Sequence, residues 1–423
     1  LLVARPHVGE IDRAAIWGSR LDYDGWAAMG LDGWSADDLL PLFREANLRM
    51  RVMEYRPEQV TPFQQACLDA AALAGVPMTS DLNDLDEDAA MAASPVNISA
   101  GIRWNTAFAC LDPVRSRPNL AVIGQATVAR VALEGARAVA VEGVGPGGPF
   151  RVECGRVVVS GGAYESPAVL MRSGIGDRDD LRRAGVEPRH HLPGVGRNLH
   201  DHPSVTISHA GTPELEGLMA GFGARNWMPE EQTIAKLRTP AHPAGEPGFD
   251  LHLYPVGGPA PGGGGWRWAF PIACMTPRAR GSVRLRSADP LARPVIDHRY
   301  LQDPEGHDRA VLLAGIGLAR DIISRSPLRE LAGPEAAPGP GVEGAALARW
   351  IDDSVAHYYH PVGTCAMGPA SDPMAVADAR GRVHGLDNLY VADCSIAPVI
   401  PRANTNIPAV VIGLRVAGGL LGA

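Results

Sequence analysis

The run Arg156-Val157-Val158-Val159-Ser160-Gly161-Gly162-Ala163 sets the architecture of this chain. Its β-branched residues follow one another without polar alternation, the pattern of a strand buried on both faces. The run enters a glycine pair, and a helical stretch follows over 165–172 before Ser173-Gly174-Ile175-Gly176. Strand, glycine turn and helix in that order form a crossover unit on the nucleotide side of an α/β sheet. Glycines at such a turn let the backbone approach a ligand closely.

Upstream, residues 127–131, 138–142 and 150–152 alternate or run apolar with turns between them, as in a β-meander. Gly143-Val144-Gly145-Pro146-Gly147-Gly148 imitates a phosphate-binding glycine motif but lies between strand-like segments, so it is expected to be a hairpin turn. Residues 1–3 read as a strand remnant and 14–18 as a buried turn. Ser35 followed by Asp38 has the form of an N-cap with an acid in the first turn, opening a helix whose apolar face is Leu39, Leu40, Leu42 and Phe43. Over 62–75, Phe63, Cys67, Ala70, Ala71 and Ala74 keep to one helix face. Residues 79–100 are acidic and turn-rich and read as a surface loop or lid, and 101–107 as the opening of a short helix. Downstream, 203–270 carries little pattern, with glycine-rich 262–265 a flexible loop. Residues 281–286 alternate as a half-exposed strand, 308–324 and 347–355 are helical, and 333–345 reads as a Pro/Gly-rich linker. The apolar tail 408–423 is interrupted by Arg415 and reads as a buried terminal helix.

Composition narrows the function. The chain has 423 residues, enough for two domains and a large core. Its 49 glycines and 37 prolines point to a loop-rich globular enzyme rather than a low-complexity protein. A net charge of −8 argues against nucleic acid and anionic membrane surfaces as partners. Lys236 is the single lysine, so arginine supplies nearly all positive charge. Six cysteines stand far apart with no C-x-x-C pair, which fits neither a metal site nor a disulfide framework and makes a reducing cytoplasm the expected compartment. No uncharged apolar run is long enough for a spanning helix.

The chemistry gathers near the C-terminus. Tyr359-His360-Pro361-Val362-Gly363-Thr364-Cys365 is answered by Arg402-Ala403-Asn404-Thr405-Asn406-Ile407-Pro408, and between them Asn388-Leu389-Tyr390-Val391-Ala392-Asp393 reads as a buried strand ending in an acid. An imidazole, an amide and a strand-end acid, each at the edge of regular structure, suit a redox site. A neutral imidazole is a good base near pH 7. His357, three residues upstream, is not expected to take part directly. Arg197-Asn198-Leu199-His200-Asp201-His202 reads as a hydrogen-bonded corner; adjacent residues rarely converge on one ion, and no metal is expected.

At these residues the chain resembles the glucose–methanol–choline (GMC) family of flavin-dependent oxidoreductases. Gly162-Ala163-Tyr164-Glu165-Ser166-Pro167-Ala168-Val169-Leu170-Met171-Arg172-Ser173-Gly174-Ile175-Gly176 fits the family's second signature at every defined position. Asp22-Tyr23-Asp24-Gly25-Trp26, Gly196-Arg197-Asn198-Leu199-His200-Asp201-His202, Gly281-Ser282-Val283-Arg284-Leu285, the Tyr359–Cys365 motif and Asn404-Thr405-Asn406 look like family blocks in the family's order.

The resemblance implies a mixed α/β (α+β) fold: a Rossmann-like FAD-binding domain from 1–55, 113–202 and 355–423, incomplete at its N-terminus, and a substrate domain from 56–112 and 203–354 built on an antiparallel sheet plus helices. It implies FAD as cofactor and oxidation of a primary alcohol to an aldehyde, with hydride passing to flavin N5 and oxygen or another molecule as electron acceptor. His360 would be the base and Asn404 the partner that orients the alcohol. Val128, Asp393, Thr405, Asn406 and Tyr359 would contact the cofactor, with the N-terminus of the terminal helix stabilising negative charge on the reduced flavin. Choline-like, aromatic or furan-type alcohols are the substrates implied. Two other readings stay open: a hydroxynitrile lyase on the same fold, and a non-catalytic relative without flavin. The family's Gly-x-Gly-x-x-Gly start and its first signature are absent, with Val8-Gly9-Glu10-Ile11-Asp12-Arg13 in place of the latter. The chain is therefore expected to lack roughly eighty or more residues before its first, or to omit internal ones, with joins at 47–50 and 221–223.

Overall fold

The computed structural model describes residues 2–4, 14–86, 89–99, 101–260 and 265–422. The valine run forms the strand Val157–Ser160, central in a three-stranded parallel sheet between Leu2–Ala4 and Leu389–Val391. Val157 and Val159 are fully buried. The chain then turns through Gly161 and Gly162 into the helix Gly162–Arg172. Gly162 has φ +77°, a left-handed conformation that glycine adopts without steric cost.

That helix contains Pro167, which has no N–H for the carbonyl of Ala163 four residues back. Thr364 Oγ1 supplies the missing donor at 2.6 Å. The defect in the helix thus becomes its attachment to the segment that carries His360. At its far end, Arg172 Nε donates to Ala129 O and Ser173 Oγ accepts from Val131 N, which fixes the helix to the meander.

The meander is Thr127–Glu134, Arg137–Gly145 and Gly148–Glu153, all antiparallel, and Gly145 pairs with Gly148 across the hairpin expected there. Asn388 joins it to the parallel sheet: its side chain accepts from Ala138 N and donates to Ala138 O and Gly155 O. Around these sheets lie the helices Arg20–Ala28, Ala36–Arg49 and Asn406–Leu421, in one core with Trp26, Trp34, Phe43, Val157, Val159 and Val411. Ser35 caps Ala36–Arg49 in a capping box with Asp38, as expected. Arg415 on the terminal helix donates to Gly33 O.

A second core is built on a seven-stranded antiparallel sheet. Its order is Ala332–Ala337, Ser204–Gly211, Trp266–Cys274, Leu251–Leu253, Thr233–Leu237 and Met91–Ala93, with Val256–Pro259 also paired to Trp266–Cys274. The helices Pro62–Leu73 and His307–Ile323 cover it, Gly315 lying so close that a Cβ there would stand 2.6 Å from Ile272.

Several local expectations change. Residues 79–100 are not wholly a surface loop, because Met91–Ala93 pairs with Thr233–Ala235 and buries Met91 and Ala92. Three residues are too few to show a period. The patternless 203–270 holds most of the second sheet; Thr233–Leu237 and Leu251–Leu253 are buried on both faces, so nothing alternates. The linker over 333–345 begins as an edge strand, Ala332–Ala337, whose register shifts against Ser204–Gly211 and whose edge position tolerates Pro334. The short helix expected to open over 101–107 starts only at the end of that stretch, as a wide helical turn from Ala107 to Leu111, and Ile102–Arg103 before it is a two-residue strand. The joins suspected at 47–50 and 221–223 fall at the ends of the helices Ala36–Arg49 and Pro213–Gly223. Residues 8–13 and 262–264 lie outside the described residues. Among the described residues no helix is long and apolar enough to cross a membrane.

Asn388→Ala would strip Ala138 N of its acceptor and the carbonyls of Ala138 and Gly155 of their donor. The expected cost is about 2–4 kcal/mol, read as a lower denaturant midpoint than that of the unaltered protein.

Candidate active site

The His360 segment leaves regular structure after the helix Gly344–Ser354 and meets the 198–204 segment at two points, His200 with Val362 and Ser204 with Ala356. Tyr359 takes φ +68°, unusual for a bulky residue, and this turns His360 inward while its own ring stays 53% exposed. The His360 N–H donates to Asp201 Oδ1 at 3.0 Å. Gly363, at φ +92°, passes so close to Asn198 that a Cβ would lie 2.4 Å from its carbonyl oxygen.

His360 is 2% exposed. Nε2 lies 3.2 Å from Asn404 Nδ2, and Nδ1 lies 3.2 Å from Thr405 Oγ1. With the amide nitrogen donating to Nε2, the neutral ring carries its proton on Nδ1, facing the Thr405 oxygen. Tyr358 stands edge-on to the ring at 4.9 Å and His202 at 5.9 Å.

Asn404 is held from behind. Arg402 donates through its backbone N–H and Nη1 to the two carboxylate oxygens of Asp22, each at 2.8 Å, and Trp26 Nε1 donates to Val399 O. Burial raises the Asp22 carboxyl while Arg402 opposes that rise. Ile400 N donates to His200 Nε2, and burial above all pushes His200 down to about 3, so it is a neutral acceptor. The polar corner is thus a hydrogen-bonded brace.

A small cavity opens at the imidazole, lined by Ala14, Glu231, Ile234, Tyr254, Tyr358, Tyr359, His360 and Asn404. Behind its wall lie His202 and His252, each with both ring nitrogens unpaired among the described residues, and burial holds both well below the usual imidazole range. Lys236 is fully buried; it donates to Leu82 O at 2.5 Å and sits over the Phe249 ring.

The residues named from sequence separate into groups. His360, Asn404 and Thr405 meet directly. Asn406 starts the terminal helix, whose N-cap residue, Thr405, makes no side-chain cap bond, and the Asn406 Nδ2 is buried without a partner among the described residues. Asp393 ends the strand Leu389–Val391 and accepts from Gly162 N, Ser166 Oγ and Ser395 N. Val128 lies apart on the meander strand that the helix Gly162–Arg172 packs against. Tyr359 lines the cavity, but its ring meets His357; the tyrosine against the imidazole is Tyr358. Sequence reasoning missed Tyr358, Tyr254 and Glu231, and it did not connect Asp201 to His360. Elsewhere Cys274, His307 and Asp308 bring ligand-type atoms within 4.8 Å, but Asp308 accepts from Arg278 N and Ala279 N and His307 meets Thr276, a latch at the start of a helix.

The residues fit one end of a flavin site. The Asn406 amide, unpaired among the described residues, and the terminal helix N-terminus supply donors for an electron-rich ring edge. The glycine turn at 161–162 allows close approach of a ligand.

Fold and site together define an FAD-binding oxidoreductase. The N- and C-terminal family profiles described as GMC oxidoreductase match residues 13–204 and 277–413, and the chain belongs to that family. It is 36% identical to mouse mitochondrial choline dehydrogenase, over 95% of this chain and 72% of that one. It is 34% identical to glucose dehydrogenase [FAD, quinone] of Drosophila pseudoobscura pseudoobscura, over 94% and 70%. Among solved structures it resembles pyridoxine 4-oxidase from Mesorbium loti, with TM-score 0.85, 29% identity and coverage of 97% and 82%.

Arg402→Met would leave Asp22 buried without its cation, at a cost of roughly 3–5 kcal/mol. Because burial favours the protonated Asp22, the loss in denaturant stability should be larger near pH 8 than near pH 5.

Proposed function

We propose that this protein oxidises a compact primary alcohol to its aldehyde, with His360 as the base and Asn404 as the group that orients the hydroxyl. The observation that carries this reading is the His360 pair: Nε2 beside the Asn404 amide at the cavity, and Nδ1 beside Thr405. FAD, when bound, supplies the hydride acceptor, with oxygen or another molecule as final acceptor. His360 takes the hydroxyl proton at Nε2, and the imidazolium that results keeps its Nδ1–H on the Thr405 oxygen. The Asn404 amide donates to the alkoxide as it develops. Asn406, Thr405 and the amides of the terminal helix would hold the flavin ring, Asp393 organises the start of the helix Gly162–Arg172, and Val128 would contribute at the adenine side.

The cavity wall favours a cationic alcohol. Glu231 places a carboxyl on the wall, and Tyr254 and Tyr358 line it with aromatic side chains of the kind that attract ammonium groups. The similarity to choline dehydrogenases, 36% identity for the mouse protein, supports an amino-alcohol or quaternary-ammonium alcohol. The six free cysteines suit a reducing cytoplasm.

His360→Ala should slow alcohol-dependent flavin reduction by at least about a hundredfold, followed anaerobically by loss of flavin absorbance. An unchanged rate would remove His360 from the reaction. The same measurement separates oxidation from lyase chemistry, since a lyase leaves its flavin oxidised. Glu231→Gln should raise half-saturation for choline by about tenfold or more and for a neutral alcohol of similar size by much less; equal shifts for both would rule out a cationic substrate.

A further inference from the structure

His360 is gripped from two directions. Asn404 and Thr405 hold its ring, but they do not fix the backbone on which the ring turns. That backbone follows Tyr359, whose left-handed φ of +68° is a strained state for an aromatic residue and persists only where its neighbours hold it. The neighbour that does so is Asp201. Its Oδ1 accepts the N–H of His360 at 3.0 Å and the N–H of His202 at 2.8 Å, and its Oδ2 accepts from Tyr300 Oη at 3.1 Å. Tyr300 stacks on His298 at 4.7 Å, and His298 Nε2 meets Tyr164 Oη at 2.9 Å. Tyr164 belongs to the helix Gly162–Arg172. One carboxylate therefore joins the strained turn before the base to the helix next to the glycine turn.

We propose that Asp201 is the positioning residue of this site, setting the orientation of His360 by holding its backbone N–H against the left-handed turn at Tyr359. This rests on His360 being the base. A full carboxylate in this place is unusual, because Asp201 is 2% exposed and the groups facing it are the hydroxyls of Tyr300 and Tyr164, the backbone N–H groups of His202, Tyr358 and His360, and imidazoles that burial keeps neutral. Burial raises its carboxyl to about 6, against the pull of those N–H bonds. Ionised Asp201 holds the turn most firmly; as the pH falls through that value the carboxyl takes a proton and its grip on the two N–H groups weakens. The side-chain oxygen of an asparagine can accept the same two N–H bonds without titrating.

The test compares Asp201→Ala, Asp201→Asn and His360→Ala in the full, FAD-loaded chain. Flavin reduction is followed at saturating alcohol across pH, and hydrogen exchange of the His360 amide is measured on the protein without substrate. Asp201→Ala should lower the limiting rate by about thirtyfold or more, with half-saturation changed less than about threefold. Its His360 amide should exchange at least about tenfold faster. Asp201→Asn should return both to within about fivefold of the unaltered protein and reduce the acid limb of the rate profile from two ionisations to the single one of His360. A normal rate or normal amide protection in Asp201→Ala overturns the proposal. If that variant does not fold, Asp201→Asn decides: a two-proton acid limb that persists overturns the proposal, and its reduction to one proton supports it. A slow His360→Ala with a normal Asp201→Ala sinks this inference alone, whereas an undiminished His360→Ala sinks the functional reading beneath it.

Discussion

The bond from Thr364 Oγ1 to Ala163 O carries more of this architecture than its 2.6 Å suggests. Pro167 breaks the ladder of the helix Gly162–Arg172 near its start and leaves a buried carbonyl that must find a donor. The donor comes from two hundred residues away, four positions beyond His360. The helix that extends from the central parallel strand is therefore tied to the segment that bears the imidazole. Asp393 repeats the linkage from another strand end, accepting from Gly162 N and Ser166 Oγ. Glycine turn, strand end and histidine segment then form one rigid corner, as a site needs if reacting atoms are to be held closely.

The remaining parts of the site are brought in by buried charge and by backbone groups that need partners. Asp22 fixes the loop before Asn404 through Arg402, and Asp201 fixes the turn before His360. In each case a carboxylate from a distant segment accepts a backbone N–H at or near the residue it serves. The three imidazoles at 200, 202 and 252 are kept neutral by burial, so they pack near the site without adding positive charge to it.

Much of the first core was readable in advance, because its elements carry local signals. The valine run, the Ser35–Asp38 box and the meander each state their structure within a few residues. The meeting of His360 with Asn404 was readable because their motifs stand in order. The second sheet was not, since Thr233–Leu237 and Leu251–Leu253 are buried on both faces and Met91–Ala93 is three residues long. Glu231 and Tyr254 come from that patternless region, so nothing marked them as cavity wall. Tyr358 was hidden by its neighbour: the motif begins at Tyr359, but the left-handed turn there sends Tyr359 outward and leaves Tyr358 against the imidazole. Asp201 stood in a corner already noted as polar, but its partner lies 159 positions away and the bond is to a backbone group, which no side-chain pattern records.

The burial of Lys236 has a practical consequence. It is the single ε-amine in these 423 residues, it is 0% exposed, and its ammonium group is engaged by Leu82 O and the face of Phe249. Amine-directed reagents, whether active esters, aldehydes or cross-linkers, therefore meet no lysine on the folded surface of this chain. Labelling at that position reports opening of the second sheet, and attachment of the folded protein to a support can use its arginines, carboxylates or the exposed Cys110.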